Sequence, residues 1–286
     1  MDADVQATPI ESIGTGGVRL RGGAWLPDTP PRAVVVLSHG KDEHTGRYRH
    51  VIDALTARGY AVYAHDHRGH GRSDGPRGVI VRFDDYVDDI HLLVEYGRSM
   101  HPDLPLFLLG HSMGGLIAAR YALLHQGLLA GLILSGPALL IGEDVPEWKK
   151  QVMLLLGRIA PNQRLPMSPP GTLSRDPEID ELFLNDPLCY NEPTRVGFAR
   201  ALYLAVENTR PRGNELTIPL LLMHGAADTL TSPRGSEEFF HAVVSPDKTL
   251  KLWPDNRHEI FNDLDKDAVI AFMLAWIEAR TPALRQ

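Results

Sequence analysis

Two serines in this chain occupy the spacing Gly-x-Ser-x-Gly: Ser112 in Gly110-His111-Ser112-Met113-Gly114, and Ser73 in Gly71-Arg72-Ser73-Asp74-Gly75. The spacing is that of a nucleophile elbow. There a serine sits on a strained, sharp turn between a strand and a helix, and glycines flank it because side chains would collide. Context separates the two. Ser112 follows the apolar run LPLFLLG and precedes MGGLIAARYALLH, a good helix. Ser73 lies between HDHRGH and DGPRG, which is turn chemistry with no helix to enter. The nucleophile predicted is Ser112. At a helix N-terminus its oxygen also meets a dipole that favours developing negative charge.

A serine hydroxyl is a weak nucleophile and needs an oriented base. Behind this elbow the chain order is serine, then acid, then histidine. Asp228 ends the segment that follows the run 219–224, and His258 lies just past the run 248–253. Each therefore falls beyond the carboxyl end of an expected strand, where open parallel sheets place their sites. The roles expected are Asp228 as orienting acid and His258 as general base and acid. Asp247 and Asp255 compete for the acid role, but Asp255 is too near His258 in sequence to need a strand of its own. The oxyanion needs two backbone N–H donors. Met113, just after the nucleophile, supplies one, and the amide of Lys41, in the loop after 33–38, supplies the other. His65, His67 and His70 have an H-x-H-x-x-H spacing that raises a metal reading. Gly69 stands where a carboxylate would be wanted and no other ligand motif accompanies them, so the expectation is no metal.

These residues need a scaffold. Short β-rich runs at 18–26, 33–38, 60–65, 105–109, 130–135, 219–224 and 248–253 alternate with helical patterns at 47–58, 83–100, 113–125, 233–244 and 263–280. Such alternation predicts an α/β fold: a mostly parallel central sheet with helices on both faces. The rhythm breaks over 138–208, which is rich in proline. A structureless connection that long is suspect, so it should carry helices, one through Trp148, Val152, Leu155, Leu156 and Ile159 and a second over 194–206. The expected organisation is a core of 1–137 and 209–286 with a helical cap, 138–208, inserted. The VMLLL stretch of the first cap helix either packs on the core, the simpler expectation, or forms an apolar rim that lines an acyl tunnel or touches lipid.

Composition excludes other classes. The chain has 286 residues, 43% hydrophobic, with a net charge of −7, which is not the basic footprint of a nucleic-acid binder. One cysteine, Cys189, rules out a disulfide framework. No apolar run approaches the ~20 residues that span a bilayer, and the N-terminus carries no secretion signal. A cytoplasmic protein is expected, whose cap could meet a membrane surface.

The sequence resembles the monoacylglycerol lipases of the α/β-hydrolase superfamily, a group with lysophospholipase-like and serine-aminopeptidase-like members. The matching stretches are VVVLSHGKDEHTGRY (34–48), AHDHRGHGRSDGPRG (64–78), LGHSMGG (109–115), SRDPEI (174–179), NDPL (185–188), LLLMHGAADTL (220–230) and HEIFND (258–263), in order along almost the whole chain. The resemblance implies the α/β-hydrolase fold and hydrolysis of monoacylglycerols to fatty acid and glycerol through an acyl-enzyme, with no cofactor. It also implies that Glu43, Arg47 and His111 hold the glycerol, with Phe183 where some members have a tyrosine. Lys41 stands where a small residue is common. The alternatives are a lysophospholipase or general carboxylesterase on the same fold, and a non-catalytic binding protein, which an ordered serine, acid and histidine disfavour.

Overall fold

The computed structural model describes residues 7–166 and 171–282. Strands β1 (Thr8–Ile13) and β2 (Arg19–Trp25) lead in. The alternating part follows: β3 (Ala33–Ser38), α1 (Arg49–Ala57), β4 (Tyr60–His65), α2 (Asp84–Met100), β5 (Leu106–His111), α3 (Met113–His125) and β6 (Gly131–Ser135). Helices α4 (Glu147–Ile159), α5 (Pro177–Asn185) and α6 (Val196–Thr209) then intervene before β7 (Leu220–Gly225), α7 (Pro233–Ala242), β8 (Lys248–Trp253) and α8 (Lys266–Glu278). The strands form one sheet in the order β1-β2-β4-β3-β5-β6-β7-β8. The β1–β2 and β2–β4 pairs are antiparallel and every later pair is parallel. This is the mostly parallel α/β-hydrolase architecture expected.

Strand periodicity explains why the sheet is covered twice. In β3, Val34 and Val36 join a core shared with α2, α3, α6 and α7, while Ala33, Val35 and Leu37 join a second core with α1 and α8. Both faces are buried, so AVVVLS reads as one apolar run rather than an alternation. Helix α3 is buried on nearly every side, from Leu116 to Ala122, as a helix apolar all round must be. The edge strand β8 is half-exposed throughout and carries Lys248 and Lys251, charges that discourage pairing with another chain.

The structure departs from the sequence expectations in three places. β1 is additional; only Ile10 of its six residues is buried, so no clear alternation marks it, and pairing with β2 makes it a strand. α5 is also additional, although its start is written in the sequence: Asp176 caps it by accepting from the Glu178 N–H, and Pro177 opens it. α4 does not pack on the core. It crosses α6 closely at Gly157, where a Cβ would come within 2.6 Å of Arg200 Cβ. None of its residues is buried, and Trp148, Val152, Leu155 and Ile159 are exposed. Among the described residues no helix is long and apolar enough to cross a membrane.

Candidate active site

Ser112 occupies the single residue between β5 and α3, with φ 53° and ψ −118°, a conformation that costs a non-glycine residue of the order of 1–3 kcal/mol. The surroundings hold it there. Its N–H donates to the Ser135 carbonyl at 3.0 Å, and its own carbonyl accepts from Ala138 N–H at 3.0 Å and from Leu116 N–H at 3.1 Å. The two motif glycines are sterically required. A Cβ on Gly110 would lie 2.3 Å from the Gly114 carbonyl oxygen, and one on Gly114 would lie 2.1 Å from the Ser38 carbonyl oxygen.

The structure brings the three predicted groups together. Ser112 Oγ lies 2.8 Å from His258 Nε2, and His258 Nδ1 lies 2.7 Å from Asp228 Oδ2. Because Nδ1 faces a carboxylate it carries the proton, which leaves Nε2 as the acceptor toward the serine. Asp228 is over-determined. Its Oδ1 accepts from the Leu230 and Thr231 amides, and its Oδ2 also accepts from the Thr231 hydroxyl at 2.8 Å and from His224 Nε2 at 3.0 Å. Burial works to raise the Asp228 carboxyl, but the His258 charge and the hydrogen bonds from His224 and His258 outweigh it and hold the group well below the usual carboxylate range. His258 is the mirror case: burial opposes its charged form, yet the charge and hydrogen bond of Asp228, helped by Glu259 and Glu43, raise it above an ordinary histidine.

The rejected candidates stand elsewhere. Ser73 Oγ donates to the Asp66 carbonyl and accepts from Arg21 N–H, binding the 66–74 turn to β2. Asp255 is exposed, and Asp247 pairs with Arg280. His67 Nε2 is engaged by Ser38 and the His39 carbonyl, and His70 Nδ1 by the Arg68 carbonyl. Burial lowers His65, His67 and His70 alike, so the trio is a packed, neutral cluster under the 39–41 loop.

Among the described residues, the group of three ligand-type atoms close enough to share an ion is His44, Asp186 and Cys189. Gly46 N–H donates to His44 Nδ1, so the proton sits on Nε2 and points at Asp186 Oδ2, 2.8 Å away. Burial pushes the Cys189 thiol up to about 12. The group acts as a latch, holding residues 186–189 to the 39–48 loop.

A cavity of about 710 Å³ opens above Ser112 and His258. Its walls are largely apolar, with Met113, Ile141, Leu165, Leu173, Phe183, Leu184, Leu202 and Leu230, and most of them come from the chain between β6 and β7. Among its polar lining residues Glu43, His111 and Glu259 are neighbours, Glu43 lying against Gly40 beside His111 and joined to Glu259 through Arg47, and Lys41, Asp42, Asp180, Asn191 and Glu192 line it as well. Of the residues implied by resemblance, Glu43, His111 and Phe183 line this cavity. Arg47 does not: its guanidinium is fully engaged beneath it, meeting Glu259 at 2.7 and 2.8 Å and Glu43 at 3.1 Å, and facing the Phe183 ring at 5.0 Å. Glu43 also receives Gly40 N–H and the Tyr48 hydroxyl, which stiffens the loop bearing the Lys41 amide. Met113 opens α3, so its N–H has no acceptor within the helix. Sequence reasoning missed Glu259, Thr231 and His224. Glu259 adjoins His258, and His224 stands near the carboxyl end of β7, four residues before Asp228, so position alone could have raised both.

Residues 29–265 match the serine aminopeptidase S33 family. The chain is 40% identical to a monoacylglycerol lipase of Mycolicibacterium smegmatis, over 92% of this chain and 94% of that one. It is 34% identical to human monoglyceride lipase, over 90% and 86%. It superposes with a TM-score of 0.81 on a monoacylglycerol lipase of Paleococcus ferrophilus, 31% identical, covering 91% of this chain and 99% of that one. The chain therefore belongs to the serine aminopeptidase S33 family, an enzyme family on the α/β-hydrolase fold, and groups there with the monoacylglycerol lipases.

Proposed function

We propose that this protein hydrolyses monoacylglycerols to fatty acid and glycerol, with Ser112 as nucleophile, His258 as general base and acid and Asp228 as orienting acid. The observation that carries the reading is the unbroken Ser112–His258–Asp228 contact in a largely apolar cavity that also holds the neighbouring polar groups Glu43, His111 and Glu259. His258 Nε2 takes the Ser112 proton as Oγ attacks the ester carbonyl. The Lys41 and Met113 amides receive the oxyanion. His258 returns the proton to the departing glycerol oxygen, and water, activated by the same imidazole, releases the fatty acid. The cavity lies within the ~300–1,000 Å³ range of small-molecule sites, and its apolar walls suit an acyl chain. Glu43 and His111 hold the glycerol hydroxyls, Phe183 covers them, and Arg47 fixes Glu43 and Glu259. A panel of monoacylglycerols, lysophospholipids and short-chain esters tests this. Monoacylglycerols should give the highest kcat/KM, and a preference for lysophospholipid would move the assignment to a lysophospholipase.

His258 must be neutral to act as base. Its charged form is favoured in this site, so kcat/KM should fall as pH drops through a value above 6.5. An acid limb at or below 6.5 would contradict the role given to Asp228.

Residues 138–208 act as a cap in this proposal, and α4 is its contact with lipid. Its exposed face carries Trp148, Val152, Leu155 and Ile159, and its charges are Lys149, Lys150 and Arg158 against Glu147, a basic helix on an acidic protein. Trp148→Ser should weaken co-sedimentation with anionic vesicles while leaving hydrolysis of a water-soluble ester unchanged. Equal co-sedimentation of variant and parent would remove α4 from the contact.

A further inference from the structure

The carboxylate of Asp228 carries a second imidazole. His224 stands inside β7 and is fully buried. Its Nε2 lies 3.0 Å from Asp228 Oδ2, the oxygen that also receives His258, and 3.1 Å from the Thr231 carbonyl. Both are acceptors, so the ring proton sits on Nε2. Nδ1 then accepts from the hydroxyl of Ser236, 2.7 Å away in α7 and also fully buried. Two serine–imidazole arms thus meet on one oxygen. Ser112–His258 faces the cavity, and Ser236–His224 faces the core.

The donors on Asp228 are not equivalent. The Leu230 and Thr231 amides and the Thr231 hydroxyl belong to the same turn as Asp228 and move with it. His258 is the group to be oriented. Among the described residues, only His224 reaches the carboxylate from the sheet. An apolar side chain would fill this strand position without any desolvation cost, whereas a buried imidazole costs stability unless its nitrogens are paired, and both nitrogens of His224 are.

We propose that His224 is a positioning residue for the reaction: its Nε2–H anchors Asp228 Oδ2 to the sheet and thereby sets the angle at which His258 meets Ser112. It touches neither substrate nor reacting atoms. The inference rests on the roles given above to Ser112, His258 and Asp228. The low-lying Asp228 carboxyl is consistent with it, since the hydrogen bond from His224 is among the causes that overcome burial.

The test compares His224→Leu, His224→Gln and Ser236→Ala with the parent enzyme on p-nitrophenyl butyrate, an ester that reports the triad whatever the natural substrate. Glutamine can place its amide nitrogen where Nε2 stands and keep the donor; leucine removes it. His224→Leu should lose about 10- to 100-fold in kcat, the worth of a hydrogen bond to a charged group, with KM held within about twofold. His224→Gln should recover to within about threefold of the parent. The proton NMR resonance of His258 Nδ1–H should move in the leucine variant and return with glutamine. A folded His224→Leu at parental speed, a glutamine variant as slow as leucine, or an unmoved resonance would overturn the proposal. If His224→Leu does not fold, the other two decide: glutamine near parental speed with Ser236→Ala slowed at constant KM supports it, and any other result overturns it. A parent enzyme that fails to cleave the ester would instead bring down the triad assignment first.

Discussion

Replacing Ser112 with alanine should cut kcat for ester hydrolysis by roughly 10⁴- to 10⁶-fold, leaving only the residual acceleration that oxyanion donors and binding provide. The size follows from the chemistry: among the described residues, Ser112 supplies the one hydroxyl bonded to His258 Nε2. The fold should survive. Among the described residues the Ser112 hydroxyl is hydrogen-bonded to His258, and alanine inherits the same strained φ that the Ser135, Leu116 and Ala138 bonds already enforce. Thermal unfolding within about 1 kcal/mol of the parent is expected, together with loss of labelling by a fluorophosphonate probe. Ser73→Ala is the control. It removes the bonds to Asp66 and Arg21, so it should cost about 1–2 kcal/mol of stability and leave both labelling and turnover intact. Turnover by Ser112→Ala within tenfold of the parent would refute the nucleophile.

Gly114→Ala should be nearly as damaging by a different route. The added methyl would lie 2.1 Å from the Ser38 carbonyl oxygen and 2.4 Å from that of His39. Both are backbone atoms at the end of a central strand, so neither can swing aside as a side-chain tip could. The expected cost is about 3 kcal/mol or more of stability. Any protein that folds must push away the 39–41 loop, misplacing the Lys41 amide and costing roughly 10²- to 10³-fold in kcat. Gly127→Ala offers the comparison: nothing lies within 4 Å of its added Cβ and its φ is not positive, so the change should be neutral or slightly stabilising. Melting curves and kcat on both variants check the contrast. A Gly114→Ala enzyme as stable and fast as Gly127→Ala would show that the elbow and the oxyanion loop do not pack as described.

Much of this was legible in the chain because parallel sheets advertise themselves. AVVVLS and LFLLGH are buried on both faces and read as unbroken apolar runs, and Asp228 and His258 could be placed at strand ends before any coordinates. β1 was not legible, since one buried residue in six leaves no periodic signal and the partner strand supplies its reason to exist. α5 carries a cap and a proline, but none of its residues is buried, so no apolar stripe marks it as a helix. Ion pairs across distant segments are harder still. Nothing local tells that Arg47 is claimed by Glu259, 212 positions away, rather than left to meet a ligand. His224 was hidden by its type, one histidine among 13.

His258 sits beyond β8, the last strand and an edge of the sheet. Synthesis must therefore pass residue 258, and the β8 ribbon must dock, before the His258 imidazole stands beside Ser112. On the proposed mechanism, competence waits for β8 to dock, so a chain stopped before residue 258 should be inert.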